Sequence, residues 1–248
     1  MKKLTSIIYL LASILLVSSL SSCDNAICIS AESSNSNLVF SFDPITSLDI
    51  SSSATVFVTQ DAVQSVSITA PQNVLDRLDI EESNGELKVG LDGCFSNSFD
   101  FEILISIPSS QALRSIDLSG SSVLSTTNAV VFEDDFQLSA SGSSNADLII
   151  ANAINEADIS FSGSSSGSLS GQGRSIKASL SGSSLLRAFD YLAVTGNIDL
   201  QGSSEAEVFV DGGILQVSAS GSSVLKYKGT PSDIDSSLSG SSEIVNRN

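Results

Sequence analysis

Residues Leu118–Ser122 read LSGSS, and the phrase returns as ASGSS from Ala140, FSGSS from Phe161 and LSGSS from Leu180. It follows again as LQGSS from Leu200, ASGSS from Ala219 and LSGSS from Leu238. The glycines are Gly120, Gly142, Gly163, Gly182, Gly202, Gly221 and Gly240, at steps of 22, 21, 19, 20, 19 and 19 residues. A fixed period near twenty marks a repeat architecture. Outward from each glycine the apolar residues alternate. Four positions before it stand Ile116, Leu138, Ile159, Ala178, Ile198 and Val217, with Ser236 breaking the column. Two before it stand Leu118, Ala140, Phe161, Leu180, Leu200, Ala219 and Leu238. Four and six after it come pairs such as Ala146/Leu148 and Ala206/Val208. Period two on both sides of Gly-Ser-Ser predicts strand, turn, strand, and excludes helix.

A coil of 19–22 residues built from short strands predicts an all-β, single-stranded parallel β-helix, or β-solenoid. Successive coils then stack about 4.8 Å apart, with like residues above like. The seven glycines become structural corners that need φ > 0 or close backbone packing. The serines satisfy corner backbone groups or bond along their own ladder. Five residues after the glycine, consecutive coils carry Arg187, Glu207 and Lys226. In register these alternate in sign, as cross-strand neighbours prefer.

The chain opens with Met1-Lys2-Lys3, an apolar run from Leu4 to Val17, and Leu20-Ser21-Ser22-Cys23. A basic start, an apolar segment and small residues before a cut predict an export signal over residues 1–22. LSSC resembles the lipobox of bacterial lipoproteins, which implies lipidation of Cys23 and a membrane anchor; the alternative is an ordinary cleaved signal. Removing residues 1–22 takes Lys2 and Lys3 away, so the net charge goes from −17 to −19. That balance argues against nucleic acid and anionic lipid as partners held by charge. No calcium-loop spacing is present, so no metal and no cofactor is expected.

Residues 23–37 are small and polar and read as a lipidated tether. Cys28 lies within it, and Cys94 is the remaining partner for a disulfide in an exported chain, unless both stay free thiols. Residues 38–248 read as one elongated domain: irregular N-terminal coils over 38–113, then the seven Gly-Ser-Ser coils over 114–248. In Leu48–Val58, LDISSSATVFV, Ser52 takes the place of a corner glycine. Strands are expected at Ser65–Thr69, Leu87–Val89 and Phe101–Ile107, one helical turn within 71–78, and a hairpin at Asn84-Gly85. The last strand, Ser242–Val245, stands near an open edge, which allows end-to-end self-association.

Several of these stretches, in this order, resemble the head GIN domain family of auto-transporter adhesins. They are FDPITSLDISSSATVFVTQ, SVSITAP, GELKVGL, EILISIP with LRSIDLSGSSVL, and the SGSS corners. The resemblance covers nearly the whole exported chain. It implies a right-handed β-helix in a cell-envelope protein and defines no functional residues. Ser-Ser follows the glycine here where family members carry more glycine and aspartate.

Chemistry has little to work with. The chain has no histidine to activate its many serines, and Gly-Ser-Ser is not a nucleophile elbow. Among carboxylates, Glu205 and Glu243 share a column two coils apart, Asp147 and Glu207 three, Asp117 and Asp199 four. No adjacent-coil pair emerges from this count, so no enzyme is expected. Tyr191, Tyr227 and Phe209 are candidate sugar platforms, with Tyr227 on the core parity. The favoured function is a lipid-anchored adhesin for a glycan, a matrix component or an envelope protein. A periplasmic scaffold is the alternative and a carbohydrate-active enzyme the third reading. The expected location is the cell envelope, at the outer membrane or cell surface, or facing the periplasm.

Overall fold

The computed structural model describes residues 28–248. The signal segment and Cys23 lie outside the described residues. Two compact units are distinguished. The smaller comprises, of the described residues, 28–31 and 93–98. Within it Cys28 and Cys94 are disulfide-bonded, with Cα atoms 4.8 Å apart. The Ile29 N–H donates to the Cys94 carbonyl at 3.1 Å and the Ser96 N–H to the Ile29 carbonyl at 2.8 Å. The Asn97 side chain accepts from the Ala31 N–H at 2.6 Å and donates to its carbonyl at 3.1 Å.

The larger unit, 32–92 with 99–248, is a β-solenoid. Its first coil is β2 (Ser47–Ser52) and β3 (Thr55–Asp61). Along one edge of that coil lie β6 (Glu86–Leu91) and β7 (Glu102–Pro108). Along the other lie β8 (Leu113–Gly120) and β9 (Val123–Thr126), all parallel to their neighbours. The first coil in sequence is therefore interior to the stack. The segment read as irregular coils also contains antiparallel strands. β5 (Leu78–Ser83) pairs antiparallel with β6, β4 (Ser65–Pro71) with β7, and β1 (Asn35–Phe40) with β4. β1 begins inside the stretch read as tether. The β5–β6 hairpin follows from Asn84 and Gly85, at φ 55° and 81°, the paired positive φ that such a two-residue turn needs. A single helical turn, α1 (Gln72–Leu75), follows β4.

From β10 (Phe132–Ala140) the coils follow chain order. β11 (Asn145–Phe161), β12 (Ser166–Leu180) and β13 (Leu185–Leu200) are long enough to serve two ladders each. β14 (Glu205–Val210), β15 (Ile214–Ala219), β16 (Val224–Lys228), β17 (Asp233–Leu238) and β18 (Glu243–Asn246) complete the stack. The expected column holds residue by residue: Leu138 pairs with Ile116 and Ile159, Ala178 with Ile159 and Ile198, and Val217 with Ile198. All six are buried, and each such leucine, isoleucine or valine contributes about 1.5–3 kcal/mol by leaving water. Ser52 pairs with Gly120, so the sequence LDISSS does form a corner beneath the first glycine.

The corners explain their own composition. All seven glycines have φ between 72° and 82°, the left-handed region. At Gly163 a Cβ would stand 2.6 Å from the Gly142 carbonyl oxygen of the preceding coil. That oxygen accepts the Ser164 N–H at 2.8 Å, so the contact cannot open without loosening the ladder. The last serine of each phrase turns inward. Ser165 Oγ, buried, donates to the Ser162 carbonyl at 2.6 Å, and the same bond recurs in the other six corners.

Candidate functional site

The ladder of β6, β2, β8, β10, β11, β12, β13 and β15 buries alternate side chains and turns the others outward, and β17 continues its columns with all of its side chains exposed. Three outward columns result. Three positions before the corner stand, in register, Lys88, Asp49, Asp117, Ser139, Ser160, Ser179, Asp199, Ser218 and Ser237. One position before it the serine column runs through Ser119, Ser141, Ser162, Ser181 and Ser220, with Gln201 as the exception. Five before it come Gln137, Asp158, Lys177, Asn197, Gln216 and Asp235.

Two classes of serine are thus present. The inward serines spend their hydroxyls on carbonyls of their own corner. The hydroxyls of Ser139, Ser160, Ser162, Ser179, Ser181 and Ser218 are exposed or half-buried and, among the described residues, hydrogen-bond to no other side chain or backbone group. They stand as a double row with a rise of about 4.8 Å per coil. Each can donate one hydrogen bond and accept two.

At the head of this double row, Asp49, Asp117, Ser119, Ser139, Ser160 and Ser162 line a groove of about 210 Å³. Beside it, Glu81, Ser83, Asn84, Glu86, Lys88 and Arg114 line one of about 350 Å³. Lys88 Nζ is 3.2 Å from Glu86 and 3.9 Å from Asp49. Both carboxylates push the lysine pKa up, the bond to Glu86 most. Partial burial pushes Asp49 above the ordinary carboxylate value; Lys88 opposes this and neighbouring Asp117 adds to it. A third groove, about 290 Å³, lies farther along the face and includes Glu156, Lys177, Thr195, Asn197 and Gln216. There Lys177 Nζ donates to Asp158 at 2.7 Å.

Asp49 and Asp117 correct the expectation that no two carboxylates occupy adjacent coils. They are direct register partners. Counting from Gly120 misses the pair, because β8 lands on β2 across five intervening strands. The signal was nonetheless present, since both aspartates stand three residues before their corner. The two share one column on one face, whereas glycoside hydrolysis needs two carboxyls flanking a scissile bond. Among the described residues, no group of three or more His, Cys, Asp or Glu side chains could hold a metal.

The other ladder carries the predicted charge column: Arg187 pairs with Glu207 and Glu207 with Lys226. Lys226 bonds to Glu205 and lies 3.6 Å from Glu207. Glu205 and Glu243 are separated by Val224 in their shared column, two coils apart. Of the three candidate sugar platforms, Tyr191 is corrected, for it is fully buried. The ladder is irregular between Ser168 and Ser170 and again between Ala188 and Leu192, which shifts the alternation. Tyr191 pairs with Gly171, and its hydroxyl lies where a Cβ of Gly173 would be, so glycine makes its room. Among the described residues that hydroxyl has no hydrogen-bond partner, and burial pushes its pKa far up. Tyr227 and Phe209 are half-buried, and Lys228 Nζ stacks over Phe189 at 4.3 Å from the ring centre.

Solved structures share this fold. A putative adhesin from Bacteroides fragilis superposes with a TM-score of 0.80 at 17% identity, covering 88% of this chain and 100% of that one. A putative adhesin from Parabacteroides merdae gives 0.69 at 15% identity, over 89% and 99%. A putative lipid binding protein from Parabacteroides distasonis gives 0.68 at 18%, also over 89% and 99%. A comparison with curated proteins finds no match. Residues 44–231, the solenoid from its first coil to beyond β16, match the family described as "Putative auto-transporter adhesin, head GIN domain", and the chain belongs to that family.

Proposed function

We propose that this protein is an exported, lipid-anchored binding module whose outward hydroxyl rows grip an extended glycan. The observation that carries the reading is the double row of serine hydroxyls that make no hydrogen bond among the described residues, continued by the amides of Gln137, Asn197 and Gln216. Hydroxyls and planar amides at a regular rise can exchange hydrogen bonds with successive sugars of a chain lying along the face. The fixed backbone ladder presents these groups without an ordering cost, which favours binding. Neither the groups nor their arrangement supplies a proton-transfer pair across a bond, so the module binds and does not cleave. Lipidation at Cys23 would hold it at the outer membrane or cell surface.

The test is a glycan and matrix-protein array probed with wild-type protein and with the double variant Ser160→Arg/Ser179→Arg, which fills the middle of the rows. Saturable binding without cleavage, lost in the variant, is expected. Equal binding by the variant, or hydrolysis of the bound glycan, overturns the proposal. Metabolic labelling with palmitate, lost on Cys23→Ala, tests the anchor. Protease shaving of intact cells separates a surface protein from the periplasmic scaffold reading.

A further inference from the structure

Among the described residues, β17 and β18 pair along one edge only, with β15 and β16. Side chains that continue the core columns are exposed there. Ile234, in register with fully buried Leu215, is 37% exposed, and Leu238, in register with Ala219, is 45% exposed. Ile244 stands in register with fully buried Leu225 and is half-buried. An edge with open backbone groups and part of a core invites another strand unless something blunts it. β5, another one-sided strand, is blunted: it carries Asp79, Glu81 and Glu82, charges of one sign. The β18 edge differs.

Along β18 the Glu243 and Arg247 N–H groups donate to the carbonyls of Ser223 and Tyr227. Residues 243, 245 and 247 therefore spend their backbone groups on β16, and Ile244 and Asn246 turn theirs to the open side. Glu243 and Arg247 have opposite charge and stand equally far from Val245 in sequence. The Arg247 side chain has no ion pair among the described residues. Asn248 ends the pairing by donating to and accepting from the Gly229 backbone with its side-chain amide, both at 2.7 Å.

We propose that a second copy of this chain adds to this edge, antiparallel, with Val245 on the two-fold axis. The register follows from the groups that point outward. Ile244 and Asn246 of the partner subunit exchange two backbone hydrogen bonds, and the symmetry repeats the pair. Val245 then faces its own copy in a pair without hydrogen bonds, where Cα atoms stand about 4.5 Å apart. Glu243 falls opposite Arg247 of the partner subunit, twice, on the outer face. A rotation about the sheet normal keeps the outer face outward in both copies, so the core columns of Ile234, Leu238 and Ile244 meet apolar surface rather than water. This is a closed, self-complementary interface. One register satisfies both the backbone and the charges.

The register makes a sharp experiment possible. In Val245→Cys, two thiols meet at a Cα separation that a disulfide accepts. Mild oxidation of the full chain is expected to give a reducible dimer on a denaturing gel, absent from wild type and weak in Ile244→Cys. Sedimentation then reads the charge pairs: Glu243→Arg weakens dimerisation at least tenfold, and Glu243→Arg/Arg247→Glu restores it. Rescue by the double variant excludes misfolding as the cause of the single variant's loss. Wild-type protein that stays monomeric at high micromolar concentration overturns the proposal. So does equal cross-linking at 244 and 245, or a dimer that Glu243→Arg leaves unchanged. Glycan binding by the serine rows is read separately and does not depend on this edge.

Discussion

Replacing Gly163 by alanine should be among the costliest single-methyl additions in this molecule. Two terms act. The residue is held at φ 75°, where an L side chain costs about 1–2 kcal/mol. The new Cβ would also stand 2.6 Å from the Gly142 carbonyl oxygen, a backbone atom fixed by its bond to Ser164. Relieving that overlap loosens the bond, worth about 1 kcal/mol net. Together these give a loss of about 2–3 kcal/mol. For a domain of this size that corresponds to a fall in Tm of about 4–12 °C. Gly212 supplies the internal control. It has φ 90°, but a Cβ there meets nothing within 4 Å, so Gly212→Ala should carry the conformational term alone, about 1–2 kcal/mol. Urea unfolding, read by far-ultraviolet dichroism with its slope checked for constancy, measures both. Amide exchange at Ser164 locates the damage. If Gly163→Ala loses no more than Gly212→Ala, the stacked-carbonyl account of the corner is wrong.

Further outcomes follow from the same structure. Ser165→Ala removes a buried hydroxyl bonded to the Ser162 carbonyl and should cost about 1 kcal/mol by urea unfolding. Ser164→Ala, whose exposed hydroxyl has no partner among the described residues, should stay within about 0.5 kcal/mol of wild type. Reducing the Cys28–Cys94 bond, or Cys28→Ser/Cys94→Ser, frees a closure spanning 66 residues. It should lower stability by up to about 4 kcal/mol by loop entropy; an unchanged Tm in reductant would refute this. Asp211 accepts the Thr230 hydroxyl at 2.5 Å and its N–H at 3.0 Å, and these bonds hold its pKa below the ordinary 3.8. A depressed acid adds stability that is present above its unfolded pKa and lost as pH falls through the folded one. The stability gap between wild type and Asp211→Asn should therefore persist at neutral pH and close progressively below pH 3.8 in an acid titration of Tm.

The coils were legible because a solenoid repeats its environment. Apolar side chains four and two residues before the glycines, with Ser236 the one break, had to stack, and the register of Leu138 on Ile159 is the one that spacing implies. The order Arg187, Glu207, Lys226 was readable for the same reason. The N-terminal part resisted because pairing there is not sequential. Asp49 and Asp117 hold the same place before their corners, but nothing local says that those two corners are neighbours or that Lys88 lies on the other side of Asp49. Tyr191 was misplaced because parity counts fail across a ladder irregularity, and because two glycines a coil away had made a hollow for it. The outward serines were visible as letters, but only the hydrogen bonds separate them from the inward ones.

The interior position of the first coil has a consequence for how the molecule assembles. β2 and β3 find partners on both edges only after β6, β7, β8 and β9 have been delivered. A chain that emerges N-terminus first during synthesis cannot begin its solenoid with the segment that emerges first. These long-range pairings make nucleation slow. Once β8 and β9 have docked, every later coil needs only the one before it. Folding should therefore show a lag and then advance one way, like a zip with a single slider.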